Sequence, residues 1–281
     1  MMSDTDMEFQ ITPLGDALGA AITGIDLSWD LGPDTVAGLR RAWNDHVILV
    51  FPGQKLSEAD QERFCRHFGE LEKVRSTSLD ENHPHTLLIT NVRDTGMRTA
   101  LEDGDMQFHY DQCYYEQPCD GSTLYALEVT STGGNTLFAN CRRAYDNLPD
   151  DLKRRIAGAR ALNYYDYGAH PTFRPDSINP DAPQWVHPVV RTHNETGRKA
   201  IYVNRLMTIR IEGMDRRESD DLLGRLFDAI EAPENIYEHR WKIGDLMLWD
   251  NRCSVHARTY FEPDDRRMMR RVTIRGAAPV V

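Results

Sequence analysis

Four residues carry the chemistry that this sequence most directly suggests. His109 and Asp111 stand one residue apart, His256 lies far downstream, and Arg267 follows it by eleven residues. On a strand, residues i and i+2 point to one face, so an imidazole and a carboxylate at 109 and 111 would converge on one point. Two histidines and one carboxylate form the facial ligand set of non-haem Fe(II) oxygenases, which leaves coordination positions open. A nearby arginine can hold the far carboxylate of a dicarboxylate through its bidentate fork. Taken alone, His-x-Asp is a weak signal. With 28 aspartates in 281 residues and ten histidines, about one such pair arises by chance. His193-Asn194-Glu195 offers similar chemistry, but in a loop bounded by Gly197.

The elements that must position these residues are legible in outline. Residues 34–45 read as a helix with Val36, Leu39 and Trp43 on one face, followed by the apolar run 47–51 and a Pro52-Gly53 turn. Ser57 is placed to cap a second helix with acidic residues in its first turn, running through Phe64, Cys65 and Phe68 to Gly69. Residues 86–92 are β-like. Beyond residue 105, short β-rich runs alternate closely with Gly, Pro, Asn and Asp: 123–129, 136–139, 162–167, 189–192, 200–203, 245–249 and 271–274. Gly133-Gly134-Asn135-Thr136 falls between two of them, and residues 193–197 read as a hairpin loop. Two helices interrupt, one after Leu148-Pro149-Asp150 and one over 214–230. Many short strands with few helices predict a mainly β fold with flanking helices, a jelly roll or barrel. No Pro/Ser-rich linker divides the chain, so residues 1–281 are expected to form one domain.

Composition narrows the class further. The net charge of −11 excludes the basic footprint of a non-specific nucleic-acid binder and of a polybasic membrane-surface protein. A few local arginines can still attract an anionic substrate. Apolar runs such as 47–51 are far shorter than a membrane span, and the acidic N-terminus lacks signal-peptide order. Five cysteines, with no Cys-x-x-Cys pair, fit a reducing compartment, so a cytoplasmic location is expected. Among oligomers, dimers and tetramers are the common forms.

Arginines occur as two doublets, Arg266/Arg267 and Arg270/Arg271. Strand alternation pairs 267 with 271 on one face and 266 with 270 on the other, each pair roughly 13 Å apart. Alternation leaves open which pair faces inward.

The whole chain resembles the taurine dioxygenase / 2,4-dichlorophenoxyacetate dioxygenase (TauD/TfdA-like) family of Fe(II)- and 2-oxoglutarate-dependent oxygenases. The resemblance runs from residues 11–26 through Val50-Phe51-Pro52-Gly53-Gln54, Phe68-Gly69-Glu70-Leu71, Gly133-Gly134-Asn135-Thr136, Gly197-Arg198-Lys199 and Trp249-Asp250-Asn251-Arg252 to the closing 271–274. It implies a double-stranded β-helix, the jelly roll of that family. It implies His109, Asp111 and His256 as iron ligands. Thr136 and Arg267 would bind the 2-oxoglutarate carboxylate distal to the metal, and Arg271 the acid group of the substrate. The implied reaction consumes O2 and 2-oxoglutarate, releases succinate and CO2, and hydroxylates the substrate. Where the hydroxylated carbon bears a heteroatom, bond cleavage follows. The carboxylate at Asp111 favours hydroxylation over halogenation.

The taurine enzymes of the family carry a histidine soon after their Phe-Gly-Glu-Leu equivalent, whereas Leu71 here is followed by Glu72-Lys73-Val74-Arg75. A small organic carboxylate, aryloxy- or arylalkanoate, is therefore expected ahead of a sulfonate. Residues 74–104 are expected to include a lid. Asp250 and Asn251 should fix the loop that carries His256. Arg266 and Arg270 should be solvated, His83 and His85 should lie in a loop, and His67, His170, His187 and His239 should be structural. Replacing His193 should leave activity intact. Two other readings compete. One is a non-catalytic metal-binding jelly roll that senses a small acid; the complete triad with Thr136 and Arg267 argues against it. The other is a zinc hydrolase built on the same three ligands, which would not need Arg267.

Overall fold

The computed structural model describes residues 9–74, 84–92, 105–165 and 178–279. Its largest sheet has seven strands in the order β1 (Gln10–Pro13), β2 (Ala20–Thr23), β3 (Ile48–Phe51), β14 (Leu246–Asp250), β6 (Gly121–Glu128), β16 (Met268–Ile274) and β4 (Thr86–Thr90). All neighbours are antiparallel except β2 and β3. A four-stranded sheet runs β13 (Ile236–His239), β7 (Thr136–Asn140), β15 (Ser254–Arg258) and β5 (Met106–His109). A three-stranded sheet, β12 (Thr208–Ile211), β8 (Arg160–Tyr164) and β9 (Gln184–Pro188), and the hairpin β10 (Val190–Thr192) with β11 (Lys199–Ile201) complete the strands. The architecture is mainly β with flanking helices, the double-stranded β-helix of the jelly-roll class.

Why the seven-stranded sheet is apolar on both faces follows from what covers it. In β3, Ile48 and Val50 enter the core shared with the four-stranded sheet, while Leu49 and Phe51 enter a second core beneath the helices α1 (Pro33–His46) and α2 (Glu58–Arg66). β14 divides in the same way, Met247 and Trp249 inward, Leu246 and Leu248 outward. The continuous apolar run at 47–51 is thus two alternating half-strands, each with its own core. Helix α2 begins with a capping box: the Ser57 hydroxyl accepts from Asp60 N, and the Asp60 carboxylate accepts from Ser57 N.

Two further helices, α4 (Asp150–Ile156) and α5 (Arg216–Ile230), match the expected pair. A short one, α3 (Cys141–Asp146), was not legible, being six residues long and capped by Asn140. All five cysteines are buried and unpaired. The segment expected to carry a lid lies largely outside the described residues, as do His83, His170 and the end of the 162–167 run. Among the described residues, no helix is long and apolar enough to cross a membrane.

Candidate metal and co-substrate centre

The cleft between the seven- and four-stranded sheets gathers the expected residues. β5 and β15 pair so that His109 and His256 are direct cross-strand partners, with ring centroids 4.2 Å apart. One ligand atom from each of His109, Asp111 and His256 falls within a 4.8 Å cluster. Asp111 does not share the strand of His109, contrary to the alternation expected of the pair. β5 ends at His109, and Asp111 stands in the turn beyond it. Gln112, at φ 60°, turns the chain there. The Asn251 side chain fixes the turn, accepting from Asp111 N at 2.9 Å and donating to Asp111 O and Cys119 O at 3.0 Å each. Asn251 thus clamps the loop of Asp111 rather than that of His256. Asp250 serves its own turn, accepting from Arg252 N at 2.9 Å, while Ser254 Oγ donates to Asp250 O at 2.7 Å.

The donor set fits a divalent metal. His109 Nδ1 lies 2.9 Å from Gln107 O. A carbonyl can only accept, so Nδ1 carries the proton and Nε2 presents a lone pair toward Asp111 Oδ1, 3.9 Å away. Burial holds the His109 imidazole below its ordinary pKa, and burial followed by the His109 charge pushes His256 down to about 3. Both rings are therefore neutral and able to ligate. Burial alone would raise the Asp111 carboxyl, but the opposing charges, Arg271 foremost, bring it below its ordinary value.

A second cluster, His193, Asp250 and Cys253, has metal-like composition, but its imidazole and carboxylate are already engaged in hydrogen bonds. Glu195 N and Thr196 N both donate to His193 Nδ1 at 3.2 Å, so Nε2–H donates to Asp250 Oδ2 at 2.8 Å. Arg252 grips both oxygens of Asp250, at 2.8 and 2.9 Å, and reaches Glu195 at 2.7 Å. Glu195 in turn meets Arg40 and Asn44 of α1. His193, far from being a loop residue free to change, is 1 % exposed. The loop around it, Asn194 to Lys199, is largely exposed; the His193 ring alone turns inward onto Asp250.

The arginine doublets separate as alternation requires. Arg267 and Arg271 line the cleft. The Arg267 guanidinium donates from Nε to Gly134 O at 3.2 Å and has no carboxylate partner among the described residues. Its pKa is pushed down to about 9 by burial and then by the charge of Arg258. Gly133, at φ 70°, lets this loop pass against Tyr260 O, where a Cβ would collide. Thr136 opens β7 beside it. Trp241 Nε1 donates to Thr136 Oγ1 at 2.9 Å, which leaves the hydroxyl proton available to an anion. Nothing local in the sequence points to Trp241. Arg271 Nη1 lies 3.3 Å from Asp111 Oδ1, while its buried Nε has no hydrogen-bond partner.

On the opposite face the expectation of two solvated arginines fails for one. Arg266 is exposed and pairs with Glu128. Arg270 is 5 % exposed, sealed beneath α2, where it donates to Gln61 Oε1, Leu56 O and Ser57 O and lies over Tyr125. Four other described histidines have partners outside the cleft: His187 bonds Tyr115 O, His239 sits between Tyr237 and Asp245, His85 meets Glu72 O, and His67 lies 3.7 Å from Asp30.

A two-histidine, one-carboxylate cluster at the mouth of a double-stranded β-helix, with a buried arginine across the cleft, defines the non-haem oxygenase class. The profile of the family described as "Taurine catabolism dioxygenase TauD, TfdA family" matches residues 10–273, and the chain belongs to that family. The chain is 35 % identical over 277 residues to the (S)-phenoxypropionate/alpha-ketoglutarate-dioxygenase of Sphingobium herbicidovorans, with 95 % of each chain covered. It is 32 % identical over 289 residues to the alpha-ketoglutarate-dependent 2,4-dichlorophenoxyacetate dioxygenase of Cupriavidus pinatubonensis, covering 95 % of this chain and 98 % of the other. The crystal structure of AAD-2 in complex with Mn(II) and N-oxalylglycine superposes with a TM-score of 0.80 at 29 % identity, over 98 % of this chain and all of that one. The chain is an Fe(II)- and 2-oxoglutarate-dependent dioxygenase, and O2 is its other co-substrate.

Proposed function

We propose that this enzyme, as a single domain spanning 1–281, hydroxylates a small organic anion, a carboxylate with an apolar aryl or alkyl body, ahead of a sulfonate. His109, Asp111 and His256 hold the Fe(II), Thr136 and Arg267 hold the distal carboxylate of 2-oxoglutarate, and Arg271 receives the acid group of the substrate. The bound metal, with O2 and 2-oxoglutarate, supplies the oxidising equivalent for C–H hydroxylation. The chain's own residues do the rest. Ile89, Met106, Leu124 and Phe138 wall the cleft and keep it dry. Asn251 and Gln107 hold two ligands in position, and Trp241 aims the Thr136 proton. The acidic surface and the five reduced thiols support a cytoplasmic enzyme with no nucleic-acid partner.

The observation that carries the substrate class is the buried Nε of Arg271, which has no hydrogen-bond partner although Nη1 of the same side chain meets Asp111 Oδ1. Leaving such a donor unsatisfied costs about 1–3 kcal/mol, more for a charged group, which an anionic ligand would offset. The relatives named above act on phenoxypropionate and 2,4-dichlorophenoxyacetate, which have that chemistry. Succinate release should be measured with aryloxyalkanoates, their amides and the matching sulfonates. Acids should turn over ahead of amides. Arg271→Ala should raise substrate KM while the 2-oxoglutarate KM stays nearly constant. Equal turnover of amides, or an unaltered substrate KM in Arg271→Ala, overturns the anionic-substrate reading.

A further inference from the structure

The cleft contains an arginine that the co-substrate site described above does not use. Arg258 closes β15, two residues after His256, and therefore projects from the same face of the strand. It is 9 % exposed and lines the same cleft as Arg267. Its direct cross-strand partner on β7 is Thr136, which places the two Cβ atoms about 5 Å apart on the face that looks into the cleft. From the other sheet, Arg267 reaches toward the same corner. The guanidinium carbons of Arg258 and Arg267 lie over the ring of one residue, Phe261, at 5.1 and 5.9 Å from its centroid. The charge of Arg258 is felt at Arg267 and at His109.

We propose that Arg258 is a second guanidinium for the distal carboxylate of 2-oxoglutarate, which it grips together with Arg267 and the Thr136 hydroxyl. Two cations held this close in a dry cleft repel each other, and a carboxylate set between them turns that repulsion into attraction. One carboxylate has about four lone-pair sites, enough for both guanidinium groups and a hydroxyl. Arg258 would act chiefly on the distal half of the co-substrate, so the residue selects for a dicarboxylate. The inference rests on the proposed roles of Thr136 and Arg267.

The test is binding rather than turnover. Dissociation constants of 2-oxoglutarate and of 2-oxobutanoate, which lacks the distal carboxylate, are measured by calorimetry on the Mn(II)-loaded full chain without O2. Arg258→Met should weaken 2-oxoglutarate roughly 10- to 100-fold and 2-oxobutanoate less than about twofold. Arg258→Lys, which keeps the charge and is the safer fold, should fall between wild type and Arg258→Met for 2-oxoglutarate alone. An unchanged 2-oxoglutarate affinity in both variants overturns the proposal. Equal loss for both ligands also overturns it, since Arg258 would then act on the metal side or on the shape of the cleft. If wild-type protein binds 2-oxobutanoate as tightly as 2-oxoglutarate, the roles of Thr136 and Arg267 fail with it. If only the Arg258 variants behave like wild type, those roles stand and this inference falls.

Discussion

Arg266 and Arg267 are neighbours in sequence with opposite environments, and that contrast makes a test. Arg267 is buried across the cleft from the ligand cluster, whereas Arg266 is exposed on Glu128. Truncating one partner of a buried charge pair costs roughly 2–5 kcal/mol, or about 30- to several-thousand-fold. Arg267→Ala should raise the 2-oxoglutarate requirement within that range, and Arg266→Ala should leave it almost unchanged, since an exposed pair contributes about 0–1 kcal/mol. A 2-oxoglutarate titration of the two variants decides it, and the reverse ranking would mean that the inward face has been misassigned. His109, Asp111, His256, Thr136, Arg267 and Arg271 could be singled out in the amino-acid sequence through the family resemblance; alternation alone misplaced Asp111, which lies beyond β5, and left open which arginine pair faces inward. Trp241 and Arg258 could not, and Asn251 was legible as a loop-fixing residue but not as the clamp of Asp111. Their partners, Thr136, Asp111 and Arg267, are brought to them by pairing between distant strands, which leaves no local spacing to read.

Between elements, the β5 end and the β14–β15 turn are joined by one side chain. Asn251 satisfies a backbone donor and two backbone acceptors around Asp111 and Cys119. Asn251→Ala would leave the buried Asp111 N–H without its partner, at a cost of about 1–3 kcal/mol. The main effect should be on the metal, since loss of a group that orients a ligand typically costs 10- to 100-fold in affinity. Mn(II) titration of Asn251→Ala should show a weakening of about that size, with a smaller change in melting temperature. Wild-type metal affinity in this variant would show that β5 and Gln112 position Asp111 unaided. Helices α1, α2, α4 and α5 were readable from caps and periodicity. Helix α3 was not, since six residues hold too few turns to show a period. Arg270 marks a related limit: alternation says which face of β16 it occupies, but not that α2 lies over that face and buries it.

Across the molecule, a chain of bonds from the buried His193 through Asp250 and Arg252 to the partly exposed Glu195 ties the β10–β11 hairpin to helix α1 and to the strand turn before His256. Burial alone would raise the Glu195 carboxyl. Hydrogen bonds from Arg252 and Asn44, with the charges of Arg252 and Arg40, outweigh it and hold the group at about 2. A carboxyl lowered on folding contributes stability that is present above its unfolded value near 4.5 and lost as pH falls toward 2. Melting temperatures followed by circular dichroism should therefore drop through that window, and Glu195→Gln should flatten part of the drop. An identical pH profile in Glu195→Gln would show that this group does not contribute to the acid loss. His193→Ala should lower the melting point while folded protein keeps its KM values, because the ring serves the scaffold alone. The jelly-roll class was legible from the density of short strands, yet the inward turn of His193 and the tie of Glu195 to α1 were not, since α1 lies about 150 residues upstream. One further property follows from the five cysteines. Each is buried, and burial pushes Cys65, Cys113 and Cys141 up to about 12 and the other two upward as well. Such thiols carry almost no thiolate at neutral pH. The native protein should consequently be silent to an aromatic disulfide reagent, and each molecule that opens should release five equivalents of colour. Every variant above thus carries its own gauge of foldedness, independent of metal, oxygen and substrate.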